Sequence, residues 1–150
     1  MARLVQVVPQ LTHHHARELV TNNLSNNYPE SSQPFAVAYL QLMAQHKVTA
    51  EGFGSYEVES GTKLVKALEN NGVDVSHRCG GQARCTTCRV KFLSDEPVMG
   101  QLEKDCLEED GVLGQFRLSC QIHVDQDMSV EVLMPVSTAS WDNPGGEVED

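Results

Sequence analysis

The sequence has no apolar run long enough to cross a lipid bilayer. Residues 35–44 are an apolar stretch interrupted by Gln41, about half of the ~20 residues that a spanning helix needs. Residues 4–8 are also apolar, but Gln6 and Pro9 leave them too short for the core of a secretory signal peptide. We therefore expect a protein without a membrane span that works in the cytoplasm.

Basic residues are scarce. The chain has 11 Lys and Arg against 21 Asp and Glu, a formal net charge of −10, of which −11 falls after residue 50 and +1 before it. A negative field of this kind repels nucleic acid and anionic lipid, and it attracts partners that present a basic face. We expect no nucleic-acid binding.

Cysteines are few and odd in number, which does not suit a disulfide framework. Three of the five lie within the ten residues from Cys79 to Cys88. In a chain without a secretory signal, such crowding indicates metal binding.

Residues 1–46 are predicted to form an N-terminal extension that precedes the main domain. The pattern indicates a strand over 4–8, a helix opened by Thr12, a polar loop over 22–34 and a second helix over 35–46.

From residue 47 the pattern changes to shorter elements. We predict a hairpin (47–51 and 56–59), a helix over 62–70 ended by Gly72, a strand over 89–93, an acidic helix over 102–109, a short lead into Cys120 over 116–119 and a strand over 128–134. Residues 137–150 predict an acidic, solvent-exposed tail.

The cysteine segment has the sequence Cys79-Gly-Gly-Gln-Ala-Arg-Cys85-Thr-Thr-Cys88, and Cys120 follows thirty-two residues later. A diiron cluster needs two thiolates on each iron, and the freedom of Gly80, Gly81 and Ala83 would let backbone N–H groups turn toward the sulfurs. Four of the eight basic residues after position 50 flank this segment and would offset the charge of such a cluster: Arg78, Arg84, Arg89 and Lys91.

Zinc is the rival hypothesis. Structural zinc sites usually pair two C-x2-C knuckles, whereas this chain has one such pair, an earlier cysteine and a distant single. A Rieske centre is disfavoured, because Cys120 and His123 form a C-x2-H pair but no C-x-H pair exists.

Residues 47–135 resemble the 2Fe-2S ferredoxins. The five residues between Cys79 and Cys85 look like the bacterial and vertebrate-type spacing, and Arg117-Leu-Ser-Cys120-Gln-Ile is similar to the fourth-ligand motif of those proteins. The resemblance implies an α+β, beta-grasp (ubiquitin-like) ferredoxin domain over 47–136, here with an additional N-terminal α/β extension. It also implies one 2Fe-2S cluster bound by Cys79, Cys85, Cys88 and Cys120.

The resemblance further implies a one-electron carrier between a reductase and an acceptor protein, with no catalysis of its own. Vertebrate-type members dock through an acidic helix, whose equivalent here is Glu103, Asp105, Glu108, Glu109 and Asp110. A cluster-based redox sensor or interaction module is the alternative function. For the extension three roles are open: a cap on the sheet, a homodimer interface or a selector of partners.

Other side chains near these motifs receive structural interpretations. Cys106 follows Leu102 by one helical turn and is predicted to be a buried structural thiol, with a spare ligand or sensor thiol as the alternative. His77 is expected to bond backbone near the cysteine loop, and Thr86 and Thr87 to bond sulfur or to hold the turn. The adjacent residues His13, His14 and His15 splay around a helix and are interpreted as surface residues.

Overall fold

The computed structural model describes residues 44–149. The strand, helix, loop and helix predicted for the extension fall outside the described residues, except for positions 44–46, and so does the predicted dimer interface. In the part of the chain that is described, no helix is both long and apolar enough to span a membrane.

The first two strands form the predicted hairpin. Strand β1 covers Gln45–Ala50 and strand β2 covers Gly54–Glu59, antiparallel to each other. Alternation buries Val48 and Ala50 on one face of β1. The turn between the strands passes through Gly52, whose φ of 81° suits a residue without a Cβ.

The start of β1 corrects one prediction. Gln45 and His46 were expected to end a helix over 35–46, but they pair with Glu59 and Val58 across the hairpin. The local helical pattern is overridden there because pairing with β2 satisfies the backbone groups of both residues.

Helix α1 covers Leu64–Asn70, two residues shorter than predicted at its start. Its buried face consists of Leu64, Val65, Ala67 and Leu68. Gly72 ends the helix as predicted, with φ of 74°, since the N–H of Gly72 reaches Glu69 O and that of Val73 reaches Leu68 O. This pair of bonds is the Schellman arrangement.

The remaining elements complete one mixed sheet. They are β3 (Arg89–Phe92), α2 (Gln101–Glu109), β4 (Arg117–Leu118), a 3₁₀ turn (Ser119–Gln121) and β5 (Met128–Val132). The strand order is β2-β1-β5-β3-β4, with β1 and β5 parallel and the other neighbours antiparallel. The predicted beta-grasp fold is confirmed.

Most of residues 137–149 are solvent-exposed, but the segment is not a free arm, because parts of it pack on the domain. Val148 is 3% exposed, and Pro144 O accepts a hydrogen bond of 2.7 Å from the backbone N–H of His77. The Pro-Gly-Gly composition, typical of a free arm, here serves a close backbone approach to the cysteine loop.

Candidate metal centre

The structure brings the four predicted cysteines into one site. Cys79, Cys85 and Cys88 lie on the loop between α1 and β3, and Cys120 lies on the 3₁₀ turn after β4. The Sγ atoms of Cys88 and Cys120 are 3.2 Å apart, and the N–H of Cys79 donates to Cys85 Sγ at 3.3 Å. The side chains of Cys79 and Cys85 also share a hydrogen bond, and Cys85 lies near enough to Cys88 to interact with its charge, so the sulfurs form two neighbouring pairs.

The two pairs differ in burial. Cys88 and Cys120 are 2% and 1% exposed, whereas Cys79 and Cys85 are half-buried. Within residues 44–149, no three His, Cys, Asp or Glu side chains converge on a point that would hold a single metal ion. The arrangement is an inner, dry pair and an outer pair near the surface.

The loop adopts a backbone conformation that few residues tolerate. Gly80 and Gly81 have positive φ, as expected, but so do Ala83 (φ 50°) and Thr86 (φ 46°). Each non-glycine residue in this region costs on the order of 1–3 kcal/mol, so the surrounding structure must hold the loop. Part of that support is Arg89, whose Nε donates to Thr86 O at 2.6 Å while its guanidinium lies 4.5 Å from the centre of the Phe116 ring.

The backbone N–H groups of the loop stabilise negatively charged sulfur. Burial acts to raise the pKa of Cys79, but the backbone N–H of Arg84, the Cys85 thiol and the N–H groups of Cys85 and Gln82 outweigh it and lower that pKa. Backbone N–H groups aimed at one point form a nest that stabilises anions.

Cys88 donates a hydrogen bond to Cys120 within the inner pair. A hydrogen bond from Cys88 lowers the pKa of Cys120 to about 6, against burial and with help from the side chain of Gln121 and the N–H of Ala83. The same hydrogen bond and then burial raise the pKa of Cys88. Four soft thiolate donors in two close pairs, faced by N–H groups, fit the ligand requirement of a diiron cluster.

Thr87 and Thr86 have different roles. Thr87 Oγ1 accepts the backbone N–H of Arg78 at 3.0 Å, which leaves its hydroxyl hydrogen free for Cys85 Sγ at 3.1 Å. Thr86 Oγ1 instead lies 3.5 Å from Arg89 Nη2. Of the two sequence-based alternatives, Thr87 bonds sulfur and Thr86 holds the turn.

The ring of His77 does not bond backbone, contrary to expectation. Nε2 lies 3.2 Å from Glu69 Oε1, because the 3%-exposed side chain turns toward α1, and Nδ1 is buried without a hydrogen-bond partner among the described residues. The main chain of His77 makes the expected kind of bond: its N–H donates to Pro144 O at 2.7 Å, and its carbonyl oxygen accepts the N–H of Gly80 at 2.8 Å.

Gln121 is a site residue that sequence reasoning missed. Its Nε2 donates to Gly81 O at 2.8 Å and to Cys120 Sγ at 3.3 Å, so one amide joins the cysteine loop to the fourth cysteine. Its position directly after Cys120 in the fourth-ligand motif was the available signal.

Only some of the acidic side chains of α2 are exposed to solvent. Glu103 is fully buried, with Oε1 and Oε2 at 2.9 and 2.8 Å from Nε and Nη2 of Arg117, and it accepts the N–H of Leu118 at 2.7 Å. Glu103 is therefore wrong as a docking residue, because its carboxylate is used inside the protein. The other four acids are exposed: Asp105, Glu108, Glu109 and Asp110.

Cys106 is half-buried and packs on the core. Cys106 lies at the border of the buried helix face, beside both Glu103, which is fully buried, and Leu102, which is 59% exposed. The prediction of a structural thiol fits this packing, although Leu102 is not buried with it.

Residues 48–125 match the family described as the 2Fe-2S iron-sulfur cluster binding domain. This range contains all four clustered cysteines and more than half of the chain. The chain belongs to the 2Fe-2S iron-sulfur cluster binding family. The predicted 2Fe-2S cofactor is thereby confirmed, while the identity of its ligands stays a prediction.

The similarity to individual curated proteins is moderate and covers only part of their length. The chain is 36% identical over 97 residues to a subunit of the Na(+)-translocating NADH-quinone reductase of Marinomonas sp. (strain MWYL1), covering 63% of this chain and 24% of that protein. It thus spans about a quarter of the length of this curated relative.

Solved structures give a similar comparison. The ISC-like [2Fe-2S] ferredoxin FdxB of Pseudomonas putida JCM 20004 is 29% identical, with 58% of this chain and 91% of that chain covered and a TM-score of 0.49. A cysteine-to-serine variant of reduced putidaredoxin, also of Pseudomonas putida, is 27% identical, with 65% and 100% covered and a TM-score of 0.45.

Proposed function

We propose that this chain is a one-electron carrier whose 2Fe-2S cluster is held by Cys79, Cys85, Cys88 and Cys120. One observation carries the proposal: a buried sulfur pair and a half-buried sulfur pair lie together where the cysteine loop, with its inward-facing N–H groups, meets the turn of Cys120, inside the range that matches the family. When bound, such a cluster takes up and releases one electron.

The residues around the sulfurs divide the work. Cys88 and Cys120 sit in the apolar core with Val90 and Leu118, which excludes water from the inner side. The outer pair is half-buried, so this side offers the path for electrons to and from a partner. Rigid support from Arg89 and Gln121 keeps the sulfur cage in one shape in both redox states.

We infer that the chain serves redox partners and performs no catalysis of its own. The curated relative is named as a subunit of a quinone reductase, and this chain covers 24% of it. We propose a reductase and an acceptor protein as partners, in the cytoplasm, with the ferredoxin domain over 47–136 and residues 1–46 selecting or binding a partner.

For docking we propose the four exposed acids of α2, Asp105, Glu108, Glu109 and Asp110. A partner bound to α2 would be connected to the cluster site through few residues, since Glu103 ties this helix to Leu118, two residues before Cys120. Long-range attraction between the acidic helix and a basic partner surface speeds association.

The experiment that tests the carrier role is rapid mixing. The cluster-loaded chain is mixed with a ferredoxin reductase and its reduced nucleotide, and then with an oxidised acceptor such as a cytochrome. Reduction of the chain by the reductase and its reoxidation by the acceptor within each catalytic turnover support the carrier role. A chain that is reduced slowly but binds a partner only in one redox state would favour a sensor instead.

A further inference from the structure

Residues 141–149 lie across the loop that carries the first two cysteines, and we call this segment the strap. At the start of the strap, the indole Nε1–H of Trp141 donates to Ser76 Oγ at 3.0 Å. Arg78 donates to Asn143 Oδ1 at 2.7 Å and stacks 5.4 Å from the centre of the Trp141 ring. Contacts therefore run along the segment from its first residue.

The strap and the loop meet backbone to backbone. A Cβ on Gly145 would lie 2.4 Å from His77 O, and a Cβ on Gly80 would lie 2.7 Å from Glu147 O. Real Cβ atoms do not approach other atoms so closely, so the contact requires glycine on both sides. The glycines of the loop thus admit the strap as well as turning the backbone.

Val148 is the apolar anchor of the strap. It is 3% exposed and belongs to the same buried cluster as Ala83, Cys88 and Cys120. A Cβ on Gly81 would lie 2.8 Å from Val148 Cγ1 and 3.8 Å from Cys120 Cβ. The valine methyl therefore fills the space beside both the loop and the fourth cysteine.

The chain leading into the strap is fixed as well. Asp74, at the start of the segment that leads to the cysteines, accepts the N–H groups of Val136 at 2.7 Å and Ser137 at 3.1 Å. At the far end, Lys63 Nζ donates to Glu149 O at 2.5 Å. The strap is thus held by hydrogen bonds at both ends and by the burial of Val148 between them, so it is a fixed part of the site.

We propose that the strap is a working part of the cluster site, holding residues 77–81 in the shape that the sulfurs need and keeping water from them. The strap thereby sets how long a bound cluster survives. This inference rests on the proposed assignment of the four cysteines as ligands.

The test uses the full chain with Gly145→Ala and, separately, Val148→Asp. Each cluster-loaded variant is incubated with an iron chelator, and loss of visible absorbance is timed. We expect loss roughly tenfold faster than in the wild type, the change in local opening expected when one valine is no longer buried. Trp141, the one tryptophan of the chain, reports the strap independently through quenching of its fluorescence by iodide.

Gly52→Ala is the matched control. Gly52 also has positive φ (81°), but a Cβ there would meet nothing within 4 Å, and we expect wild-type cluster loss. Variants whose Trp141 becomes accessible to iodide while the cluster is lost at the wild-type rate would overturn the role of the strap. A wild-type chain that never takes up iron and sulfide would instead overturn the proposed function.

Discussion

Glu103 and Arg117 form a buried ion pair that joins α2 to the strand leading into the fourth cysteine. Both side chains are at most 5% exposed, and two hydrogen bonds of 2.9 and 2.8 Å connect them. Glu96 and Pro97 O accept further hydrogen bonds from Nη1 of Arg117, so each of the three guanidinium nitrogens donates. The pair fixes the orientation of α2 relative to β4.

Removing one partner should destabilise the domain strongly. Glu103→Ala leaves the Arg117 guanidinium buried without its main acceptor, and we expect a loss of about 3–5 kcal/mol in the free energy of unfolding. Thermal denaturation of the cluster-loaded chain measures it. Glu109→Ala, an exposed acid on the same helix, should change stability by less than about 0.5 kcal/mol. Equal effects of the two substitutions would contradict the structural role of Glu103.

The exposed acids of α2 should govern encounter with a basic partner. Reversing two charges, with Asp105→Lys and Glu109→Lys, should slow association with a reductase about tenfold at low salt, and added salt should shrink the difference. Stopped-flow association rates provide the measurement. The pair Glu57→Lys and Glu59→Lys makes the same change in net charge on β2. If both double variants slow association equally, net charge rather than α2 is responsible.

The amide of Gln121 should raise the reduction potential, because an N–H donated to sulfur favours the more negative, reduced state. Gln121→Met removes the donors to Cys120 Sγ and Gly81 O. We expect the potential to fall by roughly 20–60 mV, the equivalent of one hydrogen bond for a one-electron couple. A redox titration measures the shift.

Gln126 provides the control for that titration. Its amide also donates to a backbone carbonyl, that of Asp95 at 3.1 Å, and among the described residues it makes no hydrogen bond to a cysteine. Gln126→Met should leave the potential unchanged. An unchanged potential in Gln121→Met would show that the amide only positions the loop.

Cys106 should be the slow, free thiol of the cluster-loaded protein. Burial, followed by the nearby Asp110 carboxylate, raises the pKa of Cys106 above its ordinary value. A raised pKa means less thiolate at any given pH, so alkylation by iodoacetamide should be slower than for a free cysteine at pH 8 and should accelerate as the pH rises past 9. Mass spectrometry of the cluster-loaded chain should find one modified cysteine, and fast modification of several would argue against the assigned ligands.

Local pattern was sufficient for most of the fold. Alternation at Val48 and Ala50 and the helical face of Leu64 and Leu68 predicted the right elements, and Gly72 marked a real helix end. Gln45 and His46 were missed because their conformation is decided by a partner strand that sequence spacing does not reveal.

Prediction of the site failed where function depends on distant contacts. Glu103 has the composition of a surface acid, and its burial depends on Arg117, fourteen residues away. Residues 141–149 have the composition of a free arm, and their place is set by glycines at 80 and 81 more than sixty residues earlier. Cysteine spacing was informative because thiolate chemistry itself constrains it.

The most direct test of the central claim is iron and sulfide analysis of the anaerobically purified chain, combined with electron paramagnetic resonance before and after reduction. We predict two irons and two sulfides per chain and a signal that appears only on reduction. Cys106→Ser should keep both, and Cys120→Ser should lose them. A colourless protein that contains zinc, or a cluster that survives in Cys120→Ser but not in Cys106→Ser, would contradict the account.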